Sequence, residues 1–135
     1  MPLVHISLKR ERSGAERRAI ADAVHAALVS ALGVPPDDRF QIVSSRFDDV
    51  FYDPGFLGIA RGDDLVIVQV HLSSGRSVAQ KKALFAAVAE GLGQRGVRPE
   101  DVFVNLVETA RENWSFGHGL AQYADAPPPH LAATA

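Results

Sequence analysis

The chain has 135 residues, of which 47% are apolar and 22% are charged, a balance typical of a globular domain and not of a disordered segment. Its formal net charge of −2 provides no broad positive field, so we expect no nucleic-acid partner. Cysteine is absent, which excludes disulfide bonds, thiolate catalysis and cysteine-based metal sites.

Hydrophobic segments are short throughout the chain. No apolar run approaches the roughly 20 residues that a membrane span requires. Charges between Lys9 and Arg12 interrupt the segment that a signal peptide would need, so we expect a cytoplasmic protein without a membrane partner. The N-terminal basic residues alternate with Glu11 and Glu16, and we interpret them as a solvated loop and helix face. They are Lys9, Arg10, Arg12, Arg17 and Arg18.

The first third of the chain has the pattern of a strand, a helix and a second strand. Alternating apolar residues predict a strand over Leu3–Leu8. The capping box Ser13-Gly14-Ala15-Glu16 begins a helix that Gly33 ends, and Arg39–Ser44 forms the return strand. The apolar stripe of the helix consists of Ile20, Val24, Ala27, Leu28 and Ala31.

The same pattern returns after a connection over 47–61 that is rich in turn residues and has room for a short hairpin. Leu65–Leu72 predicts a strand, and Ser77-Val78-Ala79-Gln80 is a second capping box. Gly93 or Gly96 ends this helix. Its apolar stripe is Leu84, Ala87, Val88 and Leu92, and the return strand is Val102–Glu108.

The two patterns are copies of one unit. Leu8–Val24 aligns with Leu72–Val88, and Gly33–Asp38 aligns with Gly96–Asp101 after one deletion. A strand joined to a strand through one helix forms a parallel pair with a right-handed crossover. Two such units, at about 2–46 and 64–108, predict an α/β (α+β) fold: a four-stranded mixed sheet with both helices on one face.

The opposite face of this sheet carries both polar and apolar residues. They are His5, Ser7, Ile67, Gln69, His71, Asn105 and Val107. A half-apolar sheet face usually finds a partner, so we expect an oligomer. With an extension after Glu108, we expect a single domain over 1–123 and a mobile, proline-rich tail over 124–135.

Pro2 is the first candidate for chemistry. Initiator methionine is normally removed before a residue as small as proline, which would leave a free secondary amine. Such an amine titrates near neutral pH, with a reference pKa of about 7.7–8.0, and serves as a general acid, a general base or a nucleophile. The alternative is that a Met-Pro start is common and inert.

Two charged residues lie at turns beside predicted strands. Arg76 follows Ser73-Ser74-Gly75 and precedes the second helix cap, where an arginine can bind a carboxylate, unless it is only a surface side chain. Asp38 precedes the second strand and could orient or deprotonate water. Asp101 occupies the matching position in the second unit, which favours a shared turn role instead.

Other candidates are weaker. The five histidines lack carboxylates at ligand spacing, so we expect a structural role for them and no metal. Trp114 and Phe116 either form the wall of a pocket or seal the core. The sequence contains no phosphate loop and no dinucleotide fingerprint, and we expect no cofactor.

Taken together, these residues resemble the tautomerase superfamily, whose members share the duplicated β–α–β unit and a catalytic N-terminal proline. The likeness spans about 2–123 and is greatest to the malonate semialdehyde decarboxylase group. It is strongest in three stretches: Ala31-Leu32-Gly33-Val34-Pro35 through Asp38-Arg39-Phe40-Gln41, Gly75-Arg76-Ser77, and Val107-Glu108 through Trp114-Ser115-Phe116-Gly117.

The resemblance implies a role for each candidate. Pro2 matches the catalytic proline, Asp38 its supporting or water-orienting carboxylate, and Arg76 the arginine that binds the substrate carboxylate. Trp114 and Phe116 match the apolar wall. The decarboxylase group has a second arginine where this chain has Ser74, so Ser73, Ser74 and the helix N terminus would supply neutral donors.

The resemblance also implies a homotrimer that acts on a small oxo carboxylate. We expect decarboxylation of malonate semialdehyde or a similar 3-oxo acid. The alternatives are keto–enol tautomerisation of 2-oxo acids and a non-catalytic oligomeric binding protein of the same fold.

Overall fold

A computed structural model describes residues 2–45 and 49–126 of the chain. Over these residues the strands and long helices follow the predicted order. They are β1 (Leu3–Leu8), α1 (Gly14–Leu32), β2 (Phe40–Ser45), β3 (Val66–Ser73), α2 (Val78–Gly93) and β4 (Val102–Thr109). A short helix, α3 (Gln122–Asp125), follows, and 3-10 turns cover Phe56–Gly58, Pro99–Asp101 and Arg111–Asn113.

The strands form one mixed sheet in the order β2-β1-β3-β4. Within each unit the two strands are parallel, and β1 and β3 run antiparallel at the centre. This confirms the predicted sheet. Both helices cover the same face, where alternate strand residues are buried against the apolar stripes of α1 and α2.

Branched aliphatic side chains dominate the core between the sheet and the helices. Its fully buried large members include Ile6, Leu8, Ile20, Leu28, Leu72, Leu84 and Leu92. Full burial of such a side chain contributes about 1.5–3 kcal/mol. The alternation also fixes the strand register, because a slip of one residue would move every apolar side chain to the other face.

The two units are related by a local twofold axis through the central strand pair. Leu3 pairs with His71 and Leu8 pairs with Val66, while the repeat makes Leu8 equivalent to Leu72. Exchanging the units therefore maps the antiparallel pair onto itself. The axis places the start of β1 beside the end of β3, and the start of β3 beside the end of β1.

The helix ends follow the capping chemistry of the sequence, with one difference between the units. Ser77 and Gln80 form the full reciprocal capping box predicted for α2. In α1 the Ser13 hydroxyl accepts from the Glu16 N–H, but it also donates to the Glu16 carboxylate at 3.2 Å. That contact holds the carboxylate at the hydroxyl, so half of the predicted box is absent. Gly33 ends α1 in the left-handed conformation, with φ of 69°.

The connection between the units contains no hairpin in its described part, 49–61, contrary to the prediction. A 3-10 turn forms there instead. The Asp53 carboxylate accepts from the Gly55 N–H at 2.9 Å, and Pro54 between them has no N–H to offer a strand partner. Phe47 and Asp48, which the predicted connection included, lie outside the described residues.

Arg12 is buried, with 6% of its surface exposed, which corrects its assignment to a solvated basic face. Only the five residues 9–13 join β1 to α1, so the loop holds this side chain against the protein. Glu16, one turn into α1, lies 3.5 Å from its Nη1. Arg10 and Arg18 are exposed as predicted.

The sheet face opposite the helices is uncovered in the single chain. Its exposed large hydrophobic residues are Leu3, Phe40, Ile42, Phe103 and Val107. In the described part of the chain no helix combines the length and apolarity needed to cross a membrane. Ala124 and Asp125, which were predicted to begin the tail, belong to α3, and the tail residues 127–135 lie outside the described part.

Candidate active site at the start of the first strand

Pro2 is buried and lines a cavity of about 360 Å³ at the start of β1. The other lining residues are Leu3, Phe40, Asn113, Trp114, Ser115 and Phe116. Leu3 and Phe40 reach the cavity together because they are paired across β1 and β2. The structure thus brings Pro2, Trp114 and Phe116 into one small, largely apolar space.

The aromatic wall of this cavity is a packed cluster. The Trp114 and Phe116 rings stack with centroids 5.6 Å apart, and the Phe116 and Tyr123 rings meet edge to face with centroids 4.5 Å apart. The Gln122 side chain forms two hydrogen bonds with the backbone of the segment that carries Phe116. Its Oε1 accepts from the Phe116 N–H, and its Nε2 donates to the Gly117 carbonyl, both at 3.0 Å. The wall is therefore held by the C-terminal extension and not by the sheet.

Asp38 and Asp101 occupy matching positions but differ in their surroundings. Asp101 is 1% exposed, and its carboxylate accepts from the Gly62 N–H at 2.7 Å and from Arg98 Nε at 3.1 Å. Within the described residues the Asp38 carboxylate makes no such bonds. Burial raises the pKa of Tyr123, and the negative charge of Asp38 raises it further, which puts this carboxylate near the aromatic wall. Both residues donate from their N–H groups within a turn, but the buried, hydrogen-bonded carboxylate is specific to Asp101.

Arg76 is 9% exposed and donates from Nη1 to the Ser73 carbonyl at 3.1 Å. It is therefore not a surface side chain. Burial lowers the pKa of Arg76, and the nearby Glu108 carboxylate opposes that shift. An arginine nevertheless stays protonated in proteins, so the end of β3 holds a fixed positive charge.

Ser73 and Ser74 come shortly before this arginine in the chain. The Ser74 N–H donates to the Thr109 carbonyl at 3.0 Å, and the Ser74 hydroxyl lies 3.4 Å from the same oxygen. Ser73 and Thr109 pair across β3 and β4, and their buried hydroxyls have no hydrogen-bond partner in the described structure. The indole N–H of Trp114 is unpartnered in the same way. Such groups are costly unless a ligand or water satisfies them.

The sheet register brings the two groups of residues to one place. Leu3 pairs with His71, so Pro2, directly before β1, lies at the end of the sheet where β3 ends in Ser73. Asp38, Ser73, Ser74 and Arg76 are nevertheless not among the residues that line the Pro2 cavity. The cavity and the Arg76 group are therefore neighbouring parts of one edge of the molecule.

Among the described histidines, His25 has a contact that stabilises the fold. His25 Nε2 lies 2.7 Å from the Pro36 carbonyl, which ties α1 to the turn before β2. Across the described ranges, 2–45 and 49–126, no group of three histidine, aspartate or glutamate side chains could hold a metal ion.

Several site residues were missed in the sequence. Leu3 and Phe40 could have been found from the predicted register, since both lie next to the start of β1. Asn113, Ser115, Gln122 and Tyr123 gave no periodic signal, because they belong to a 3-10 turn, to a segment without regular structure or to the short α3.

A duplicated β–α–β unit with a proline directly before its first strand, at a cavity, is the architecture of a tautomerase-type enzyme, and comparison with known families agrees. A family profile described as "Tautomerase enzyme" matches residues 38–117, and a second with the same description matches residues 2–45. The chain belongs to the tautomerase superfamily. The probable tautomerase YusQ of Bacillus subtilis (strain 168) is 37% identical over 124 residues, which cover 90% of this chain and 98% of that protein.

Solved structures with the same fold include two malonate semialdehyde decarboxylases. The FG41 decarboxylase, inhibited by 3-bromopropiolate, is 42% identical with a TM-score of 0.87, covering 94% of this chain and 98% of its own. A second decarboxylase, described with decarboxylase and hydratase activities, is 35% identical with a TM-score of 0.84, covering 93% and 98%. A fused 4-OT symmetric trimer is 25% identical with a TM-score of 0.76, covering 92% and 98%.

Proposed function

We propose that the protein uses the free amine of Pro2 to decarboxylate malonate semialdehyde or a similar 3-oxo acid. The observation that carries this proposal is the position of Pro2 in a small cavity with the aromatic wall of Trp114 and Phe116. The likeness to two malonate semialdehyde decarboxylases, at 42% and 35% identity, supports the choice of substrate.

In this proposal the substrate carboxylate binds to Arg76, with Ser73 and Ser74 as neutral donors beside it. Arg76 is fixed to the Ser73 carbonyl through one guanidinium nitrogen, which leaves its remaining N–H groups for a ligand. Asp38 supports the protonated amine of Pro2 or orients a water molecule. Its carboxylate suits either role, because no other described side chain is bonded to it.

Decarboxylation requires a group that can accept the electron pair of the bond that breaks. The bond between the carboxylate carbon and C2 breaks, its electrons pass into an enolate, and carbon dioxide leaves. The cationic Pro2 N–H donates to the carbonyl oxygen where negative charge develops, and this interaction is stronger in the transition state than in the substrate. A proton delivered to C2 then gives the aldehyde. An iminium formed between Pro2 and the carbonyl would accept the same electron pair.

A second candidate activity is keto–enol tautomerisation of a 2-oxo acid, with neutral Pro2 as the base. Ser74 favours it, because a hydroxyl at this position leaves the site with one cation where the decarboxylase group has two. The Bacillus subtilis relative named as a probable tautomerase supports the same alternative. The two activities require opposite protonation states of Pro2 at neutral pH.

We also propose a homotrimer. Contacts between subunits would bury the exposed apolar face of the sheet. The related fused 4-OT protein, at 25% identity, is a symmetric trimer.

The reaction can be identified by proton NMR of untagged enzyme mixed with malonate semialdehyde and, separately, with the enol form of a 2-oxo acid. We expect acetaldehyde and carbon dioxide from the first substrate at a rate well above the buffer control. Rapid ketonisation of the second without turnover of the first would replace decarboxylation by tautomerisation. Turnover of neither would refute the assignment to small oxo carboxylates.

A further inference from the structure

The local twofold axis gives Arg76 a counterpart in the first unit, and that counterpart is Arg12. Each arginine comes shortly after the central strand of its unit and directly before the serine that caps the helix. Both are buried, with 6% of Arg12 and 9% of Arg76 exposed. The surroundings of the two arginines can therefore be compared position by position.

In the second unit, two cations share a carboxylate of the chain itself. Glu108 forms an ion pair with Lys81, and its negative charge raises the pKa of Arg76 against the effect of burial. Glu108 lies opposite Leu72 in the β3–β4 pair. The buried guanidinium thus has a nearby countercharge, which offsets the cost of removing it from water.

In the first unit, the cations are present but the carboxylate opposite the central strand is missing, and the carboxylate beside Arg12 is that of Glu16. Arg12 replaces Arg76, and Arg17 replaces Lys81. The residue opposite Leu8 in the β1–β2 pair, and hence the counterpart of Glu108, is Ser45. By the repeat, Ser45 is thus a neutral hydroxyl where the other unit has an acidic side chain, and Arg17 donates from Nη1 to the Arg12 carbonyl.

The polar atoms at this position are unsatisfied. Arg12 Nη2 and Ser45 Oγ are both buried without a hydrogen-bond partner in the described structure. The Glu16 carboxylate lies 3.5 Å from Arg12 Nη1, longer than an ordinary charged hydrogen bond, and it also accepts from the Ser13 hydroxyl. Leaving a buried guanidinium nitrogen and a buried hydroxyl without a partner is costly.

A cavity lies beside this region, although Arg12 and Ser45 are not among its lining residues. It has a volume of about 500 Å³ and lies between α1 and β2. Arg17 lines it, as do Gly14 in the first turn of α1 and Val43, two residues before Ser45 on the same side of β2. Arg39 also lines it, but its Nη2 is bound to Asp22 at 2.6 Å.

We propose that a small carboxylate anion from solution binds here, at the position that Glu108 occupies in the second unit, between Arg12, Arg17 and the Ser45 hydroxyl. The site binds without turning its ligand over. The counterpart of Pro2 is Val66, whose nitrogen is a peptide amide within the sheet and can neither accept a proton nor attack a carbonyl. The site is independent of the reaction proposed for Pro2.

The test is a titration of ¹⁵N-labelled protein with sodium malonate, against sodium chloride of equal ionic strength, read from backbone amide signals. We expect saturable shifts at Gly14, Ala15 and Arg17 that chloride does not produce. Signals around Trp114 and Phe116 report the Pro2 cavity separately, so failure at one site is distinguishable from failure at the other. Shifts at α1 that do not saturate, or that chloride reproduces, would overturn the proposal.

Ser45→Glu tests the position of the anion, because it restores the carboxylate that the second unit has. We expect malonate affinity at α1 to fall by about ten- to hundredfold, the value of a charge-assisted contact, and the midpoint of urea unfolding to rise. Ser44→Glu adds the same charge on the opposite side of β2 and should leave malonate binding intact. Unchanged affinity in Ser45→Glu would contradict the proposal.

Arg12→Gln provides a second test if the buried glutamate prevents folding. It keeps a polar side chain of similar length but removes the charge, and we expect the malonate shifts at α1 to disappear. Malonate shifts that persist in this variant would show that Arg12 does not bind the anion. If Ser45→Glu instead dissociates the oligomer, the missing carboxylate comes from a second copy of the chain, and the small-anion site is wrong.

Discussion

Asp38 and Tyr123 lie 85 positions apart in the sequence, yet their interaction provides a direct check on the geometry of the site. Burial and the Asp38 charge both raise the pKa of Tyr123. Its neutral form therefore contributes stability that is complete below the ordinary tyrosine pKa of about 10 and is lost as the pH rises through the higher folded value. Asp38→Asn removes one of the two causes.

We accordingly predict that Asp38→Asn lowers the pKa of Tyr123 toward its ordinary value without abolishing the contribution from burial. Tyr52 is the other tyrosine of the chain, so Tyr123 is the single tyrosine of a Tyr52→Phe variant. Its titration is then measured from the phenolate absorbance near 295 nm. Asp125→Asn in the same background is the matched control. An unchanged titration in Asp38→Asn would show that this carboxylate is not near the aromatic wall.

Residue identity alone did not predict which arginines are buried. The spacing of Arg12 and Arg76 before two helix caps was visible in the sequence, and so was the repeat that relates them. Burial depends on how closely a short loop lies against the sheet, which is a property of the folded chain. The same holds for Asp38 and Asp101, whose turns look alike in sequence but differ because Gly62 and Arg98 approach only one of them.

At the level of elements, the loop between β3 and α2 determines how substrate would be held. We predict that Arg76→Lys raises KM for malonate semialdehyde about ten- to hundredfold, the value of a charge-assisted contact, with a smaller change in kcat. A compact ammonium cannot bind the Ser73 carbonyl and a substrate carboxylate together as a planar guanidinium can.

Steady-state kinetics with urea unfolding as a parallel measurement checks this prediction. Arg98→Lys is the matched control, because Arg98 lies in the turn before β4 and pairs with Asp101. Unchanged KM in Arg76→Lys would mean that the carboxylate binds elsewhere. A loss of stability with normal kinetics would show that Arg76 only stabilises the fold, through its hydrogen bond with Ser73.

The elements themselves followed from the sequence because two independent signals agreed in each unit. Apolar periodicity gave the type of element, and capping serines and glycines gave its ends, so β1, α1, β3 and α2 were predicted to within one residue at most boundaries. The segment after β4 had neither signal. Gln122 and the aromatic contacts that hold the wall of the cavity therefore emerged only from the structure.

For the whole molecule, the uncovered sheet face should determine the assembly. We predict a trimer by light scattering coupled to gel filtration, and dissociation in Val107→Lys, because this charge would enter an apolar contact. Phe85→Lys is the matched control, since Phe85 and Val107 are both 38% exposed but Phe85 lies on α2. A wild-type monomer at micromolar concentration, or dissociation in the control alone, would contradict the trimer and the role of this face.

Catalysis by the amine of Pro2 is tested by measuring kcat/KM of Pro2→Ala in protein whose intact mass shows that Met1 has been removed. The change keeps an N-terminal nitrogen but makes it a primary amine without the ring that fixes it. We predict a loss of about 10²–10⁴ in kcat/KM for the oxo acid that the wild type turns over, the usual contribution of general acid–base catalysis. Turnover at the wild-type rate would show that Pro2 takes no part in the chemistry.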